Sequence, residues 1–281
     1  MRRPTPEQLA PLSRFERVAF EVADAMNRPP AVKAAAHSFL RVVGEAWVTA
    51  STDKLLHLRG VEHVRDLAPD RGVFLVANHR SFFDFYVISA VVLRNTDWVK
   101  RMYFPVRSTF FYEGVAGMAV NAVMSAMAMY PPVMRDGPKR AFNQYTVDVL
   151  TDLMREPGSM VGYHPEGTRN KGDNPYELLP ANLGAGNIVY HARPIVVPVF
   201  TLGLINNFPK QIKSNFDGTG APVTMVFGKP VDLDEHLQKP ARLRTYKDVA
   251  EHLREALTQL GAEERKMREE LGLPSLAPKQ G

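Results

Sequence analysis

The chain has 281 residues, 45% apolar and 23% charged, the balance of a folded globular protein with one large domain or a domain with a small appendage. Cysteine is absent, which excludes a disulfide framework, a thiolate nucleophile and a Cys-ligated zinc. Lys and Arg exceed Asp and Glu by 35 to 30, and the surplus lies in residues 71–140. A local cationic field favours an anionic partner: a phosphorylated small molecule, a coenzyme, an anionic lipid surface or nucleic acid.

The first thirty residues carry charges throughout (Arg2, Arg3, Arg14, Glu16, Arg17, Glu21, Asp24) and show neither the apolar run nor the cleavage signature of a secretory signal. Residues 6–56 read as a helical hairpin divided at Pro29-Pro30. Leu12, Phe15, Val18, Ala19 and Val22 share one face of the first helix, and Phe39, Val42, Val43, Ala46 and Trp47 one side of the second, residues 31–56. With Lys33, Arg41 and Lys54 elsewhere, that second helix suits packing on the main domain, the commoner use, or a membrane surface. A turn at 69–72 leads to a buried strand at 73–77 and then a helix carrying Val87, Ile88, Val91 and Val92. Further strands are predicted at 98–103, 129–133, 159–163, 195–204 and 223–228, with helices near 117–128, 140–155 and 184–191. The tail, 246–271, reads as one or two charged amphipathic helices. This alternation predicts a three-layer α/β domain with its chemistry on loops leaving the strand ends. The uncharged stretch 114–134 is diluted by Ala, Gly, Asn121, Ser125 and Pro131-Pro132, so no spanning helix is predicted.

Two polar loops follow predicted strands. In Asn78-His79-Arg80-Ser81-Phe82-Phe83-Asp84, His79 stands at a strand end and Asp84 in the following helical turn. Asp84 can hold one ring nitrogen while the other takes a proton, which is general-base catalysis with an orienting carboxylate. A lone His near an Asp is more often just a satisfied polar pair, and Ser81 reads as a helix N-cap rather than a nucleophile. In Tyr163-His164-Pro165-Glu166-Gly167-Thr168-Arg169-Asn170, Pro and Gly set a tight turn whose backbone can face an anion, and Arg169 offers a bidentate fork. Alone, that loop could be a capped turn; two such loops after buried strands are harder to derive from turn chemistry. No nucleophile elbow, Walker loop, dinucleotide fingerprint or His-Glu-x-x-His occurs, and no nucleic-acid module accompanies the modest basic excess.

The His-x4-Asp segment, followed about eighty residues later by Pro-Glu-Gly-Thr-Arg, resembles the glycerolipid acyltransferase family, which includes the 1-acyl-glycerol-3-phosphate acyltransferases. Arg135 after the apolar run 129–134 resembles the family's second block, and residues 193–199 its fourth, apolar and Pro-containing block. The resemblance covers about residues 60–232, including Lys100 and the closing Gly228-Lys229-Pro230. It implies acyl transfer from acyl-CoA or acyl carrier protein to a lipid hydroxyl, with no cofactor, metal or covalent enzyme intermediate. By the same carry-over, His79 is the base and Asp84 its support. Arg135, Glu166, Gly167, Thr168 and Arg169 form the acceptor floor, with Asn78, Ser81 and Lys100 counted among the substrate-binding residues.

Two departures stand out. Asn182-Leu183 replaces the lysine pair common before Gly184-Ala185, and His164 replaces the aromatic or aliphatic residue common ahead of Pro-Glu-Gly. Fewer cations leave the acceptor open: lysophosphatidate, another lysophospholipid, or an aminolipid. Half of the twelve methionines (Met102, Met118, Met124, Met127, Met129, Met134) suit core filling or an acyl channel. Tyr103-Phe104 and Phe110-Phe111-Tyr112, with Lys100, Arg101 and Arg107, suit a membrane interface or the donor's phosphates. The expected organisation is a hairpin at 1–58, an acyltransferase domain with a mixed sheet at 59–235 and amphipathic helices at 236–281. The protein is expected on the cytoplasmic face of a membrane as a peripheral protein, with a lysophospholipid acceptor and no nucleic-acid partner.

Overall fold

The computed structural model describes residues 1–276. The last five positions of the tail predicted at 236–281 therefore lie outside the described residues. Among the described residues eight strands occur in chain order: β1 (Leu56–Arg59), β2 (Val73–Ala77), β3 (Arg101–Tyr103), β4 (Val106–Arg107), β5 (Pro132–Val133), β6 (Ser159–Tyr163), β7 (Ile195–Leu202) and β8 (Val223–Phe227). Six make a mixed sheet in the order β1-β8-β7-β2-β6-β3, while β4 and β5 form a separate parallel pair. β7, β2, β6 and β3 run parallel; β8 is antiparallel to β7, with β1 parallel to β8. Every residue of central β2 is buried, which is why Val-Phe-Leu-Val-Ala reads as a continuous apolar run rather than an alternating one.

Two groups of helices flank the sheet. Phe142–Met154, Leu183–Ala192 and Leu243–Glu270 pack together and against the strands, while Asp84–Asn95 packs with Glu45–Ala50 and Glu62–Arg65. The tail is one helix, Leu243–Glu270, tied down by a buried Glu264–Arg268 pair. Tyr176 donates its hydroxyl to Glu264 at 2.7 Å and Arg268 donates to Thr224 Oγ1 at 2.8 Å, so the buried charges keep hydrogen-bond partners.

The N-terminal helices share a core with the sheet, through a face that only partly overlaps the one read from spacing: of the first stripe, Leu12 and Ala19 are buried. Arg14–Asn27 opens with a Ser13–Glu16 capping box and buries Ala19, Phe20 and Ala23, leaving Phe15, Val18 and Val22 exposed. Pro30–Phe39 continues through a π turn at Leu40–Gly44 into Glu45–Ala50; Ala36, Leu40, Gly44 and Val48 face inward, and Phe39, Val42 and Val43 outward. The small residues let the helices approach the domain closely, and most large apolar side chains of the predicted stripes are left outside, with Leu12 buried and Trp47 half-buried against the core. Lys33 is wholly buried, donating from Nζ to Asn27 Oδ1 at 2.7 Å and to the Met102 carbonyl at 2.6 Å, which pins this segment to β3. Its burial pushes the pKa down to about 7.

The predicted helix over 31–56 stops at Ala50 because the hydroxyls of Ser51 and Thr52 turn back onto the Trp47 and Val48 carbonyls; Leu56–Arg59 becomes edge strand β1. The strand predicted at 129–133 shrinks to Pro132–Val133, since Pro131 and Pro132 supply no N–H to a ladder. Helix Phe208–Asp217, capped by the Asn207 side chain, was not predicted. Among the described residues no helix is long and apolar enough to cross a membrane.

Candidate active site

β2 and β6 are parallel neighbours with Val76 opposite Tyr163, so the chain leaves both at the same end of the sheet. Strand spacing of about 5 Å then brings the two predicted motifs together, although 87 positions separate His79 from Glu166. The His79 N–H donates to Glu166 Oε1 at 2.8 Å, and the Asn170 N–H donates back to the His79 carbonyl at 2.8 Å. The other Glu166 oxygen accepts the Leu179 N–H at 2.9 Å.

His79 Nδ1 lies 3.1 Å from Asp84 Oδ2, which also accepts the Arg80 and Ser81 backbone N–H groups at 2.9 Å each. The carboxylate thereby fixes the tautomer: Nδ1 carries the proton and Nε2 the lone pair. Burial pushes Asp84 up to about 6 and, with the Arg169 and Arg107 charges, pushes His79 down to about 4. At neutral pH a buried carboxylate therefore supports a neutral imidazole, the protonation state a general base requires.

His79 opens into a cleft of about 580 Å³, the size of a small-molecule site. Its lining combines cations, Arg107, Arg135, Arg169 and Lys171, with apolar side chains, among them Phe82, Phe110, Phe111, Val133, Leu150 and Ile188. Arg135 donates to the Gly167 carbonyl, Arg107 to Thr168 Oγ1 at 3.4 Å, and Arg169 to Asn206 Oδ1 at 2.9 Å. Burial and the neighbouring Arg107 charge lower the Arg135 pKa, so an anion entering here relieves repulsion among the cations. Gly167 adopts a φ of +63°, and a Cβ there would lie 2.9 Å from Asn182 Nδ2. Asn182, where lysine was noted as missing, caps helix Leu183–Ala192 and braces this turn by donating to the Pro165 carbonyl at 2.7 Å.

The structure gives four of the predicted substrate contacts other partners or another place. Asn78 is fully buried, and its amide spends both ends on the Thr201 backbone, clamping β2 to β7. Ser81 is buried in its own turn, accepting the Phe83 N–H, and does not line the cleft. Glu166 borders the cleft, but both its oxygens hold backbone N–H groups, which makes it a brace rather than a contact. Lys100 precedes β3 at the end paired with Gly158 and Ser159, whereas the cleft lies at the opposite, C-terminal end of the parallel strands. The structure instead brings Arg107 to the cleft, a residue visible in the sequence only as part of a basic and aromatic stretch. Asn206, which also accepts the Phe82 N–H at 2.9 Å, gave no sequence signal.

His164 stacks on His79 with ring centroids 3.8 Å apart and planes within 9°. Nitrogens of both rings and an Asp84 oxygen lie within 4.8 Å of one another, a spacing that invites comparison with a metal site. The fit is poor. Parallel stacked rings send their in-plane lone pairs side by side instead of converging, His164 Nδ1 is committed to the Ala77 carbonyl, and Asp84 Oδ2 already takes three donors.

The acyltransferase family's sequence model matches residues 56–201, just over half of the chain, and spans both motifs. The chain belongs to the acyltransferase family. Its fold resembles the crystal structure of the 1-acyl-sn-glycerophosphate (LPA) acyltransferase PlsC from Thermotoga maritima. The two share 16% identity and a TM-score of 0.52, over 88% of this chain and 86% of that one. No curated protein matches the sequence. The family model, the three-layer mixed sheet and the fold of this acyltransferase agree with the architecture read from the motifs.

Proposed function

We propose that this acyltransferase works at a membrane surface, moving a fatty acyl group from acyl-CoA or acyl carrier protein to a hydroxyl of a phosphate-bearing lysolipid. The observation that carries the reading is the carboxylate-oriented imidazole of His79 opening into a cleft lined by three arginines and by aromatic rings. The acceptor hydroxyl oxygen attacks the thioester carbonyl carbon while His79 Nε2 takes its proton. The tetrahedral intermediate then expels the thiolate, which recovers the proton from the imidazolium. Proximity and the base supply most of the acceleration, since the thioester is already activated. Arg107 offsets the absent lysine pair, so the charge deficit seen in the sequence does not weigh against a phosphate acceptor.

The acyl chain takes the apolar part of the cleft lining. Phe85, Tyr86, Phe104 and Met129 also border a small apolar pocket of about 30 Å³ lined in part by Met102 and Met124, so a long chain end entering it displaces flexible methionines. Met118, Met127 and Met134 line neither space. Phe15, Val18, Val22, Phe39, Val42 and Val43, with Val115, Val120 and Val123 of helix Val115–Ser125, leave an unpartnered apolar surface that fits a bilayer interface.

His79→Ala is expected to abolish thioester-dependent release of free coenzyme with a panel of lysolipids while the melting midpoint holds. Near-normal turnover would reject the mechanism, and no turnover by the unmodified protein with any donor and acceptor would favour a lipid-binding role.

A further inference from the structure

The imidazole of His164 takes no part in the proton transfer just described, yet its ring lies flat on the base. Its Nδ1 is 3.0 Å from the Ala77 carbonyl, so it bears a proton and cannot turn without breaking that bond. Phe85 closes on it with ring centroids 4.4 Å apart, and Gly162 beneath leaves no room for a Cβ, which would sit 2.6 Å from the Phe85 and Phe104 rings. The ring is thus held by a carbonyl, an aromatic contact and the strand end, with His79 over its face.

We propose that His164 is a positioning residue for His79: a neutral aromatic plate, keyed to the Ala77 carbonyl, that holds the base in the plane where Nδ1 meets Asp84 and Nε2 faces the acceptor. This rests on His79 being the general base. A phenyl ring could stack but has no group with which to lock its own rotation, so imidazole adds a fixed orientation to the contact. Two imidazoles 3.8 Å apart cannot both be charged at modest cost, so the plate must stay neutral for the base to accept a proton. Burial, together with the His79 charge, pushes His164 down to about 3. The charged and titratable groups facing the pair are Asp84 from helix Asp84–Asn95, Glu166 and Arg169 from the loop after β6, and Arg107 from β4. None of them is removed by changing His164.

The test uses the full chain with saturating donor and acceptor across pH 3.5–8. His164→Ala is expected to lower kcat about 100-fold with both KM values within threefold. It should also move the acid limb of the profile upward, because water admitted beside His79 relaxes the desolvation that depresses it. His164→Phe, which restores a ring without the carbonyl key, should recover at least tenfold of the loss. The proposal is overturned if His164→Ala keeps kcat within threefold, if only a KM changes, or if His164→Phe is as slow as His164→Ala. Should His164→Ala not fold, nitrogen NMR of the unmodified protein decides: His164 must remain the neutral Nδ1–H tautomer down to pH 5, and an Nε2–H tautomer would overturn the idea. An active His79→Ala control would sink the general-base reading itself; an inactive control beside a fully active His164→Ala sinks only the positioning role.

Discussion

Replacing Asp84 by Asn isolates what the buried charge contributes. The amide oxygen can keep the place of Oδ2 and still accept from His79 Nδ1, Arg80 N and Ser81 N, so the geometry is retained while the charge is lost. In the transition state the imidazole gains a proton about 3 Å from that oxygen. At an effective dielectric of about 20, the lost attraction is about 5 kcal/mol, or close to four orders of magnitude in rate. Asp84 is 1% exposed and borders no part of the cleft, so both KM values should stay within about threefold. Burial lifts this carboxyl above its ordinary value, so the anion is disfavoured in the fold at neutral pH and Asp84→Asn should melt no lower than the parent. Steady-state release of free coenzyme at pH 7.5, with a melting curve beside it, measures both. Turnover within tenfold of the parent, or a loss appearing mainly as a raised acceptor KM, would refute the assignment of Asp84 as the support of the base.

Arg107→Ala and Arg135→Ala should each raise the acceptor KM about 10–100-fold and leave the donor KM nearly unchanged; a weakened donor with an unaltered acceptor would reassign the cationic wall to the donor's phosphates. His37, His79 and His164 all stay neutral in the fold to about pH 4 or below because burial disfavours their charged forms. Free histidine titrates near 6.5, so their contribution to stability is full above that value and drains away as pH falls from about 6.5 towards 4. Denaturant midpoints should show that decline, and His37→Leu should flatten it; a midpoint independent of pH across this window would contradict the burial argument. Val18→Asp and Val42→Asp, at side chains 58% and 70% exposed, should abolish flotation with liposomes without lowering the melting midpoint; undiminished flotation would move the membrane contact to the stretch around Phe110.

The strands at 73–77 and 159–163 were legible because uninterrupted apolar runs bounded by turns have few other uses, and both site motifs were legible because each follows such a run. Which side chains touch substrate was not legible, since that depends on the register of β2 against β6. Lys100 and Arg107 lie seven residues apart in one basic stretch, yet only the second reaches the C-terminal end of the strands. Likewise Glu166 and Asn78 sit inside recognisable motifs, but whether an oxygen meets a ligand or a backbone N–H from a distant loop is decided by packing. The N-terminal apolar stripes were visible as stripes, and Leu12 and Ala19 of the first are indeed buried; spacing alone did not reveal that Phe20, Ala23, Ala36 and Leu40 would be turned inward.

The reciprocal bonds between the His79 and Asn170 backbones and the Glu166 carboxylate make the proton acceptor and the arginine wall parts of one frame. The gap between them is set by the fold, so on the proposed mechanism an acceptor is expected to be gauged by how far its hydroxyl lies from its anionic group. Molecules of equal charge and greasiness but different span are then expected to be sorted by that fixed caliper, and loosening Glu166 is expected to blur selectivity before it stops the chemistry.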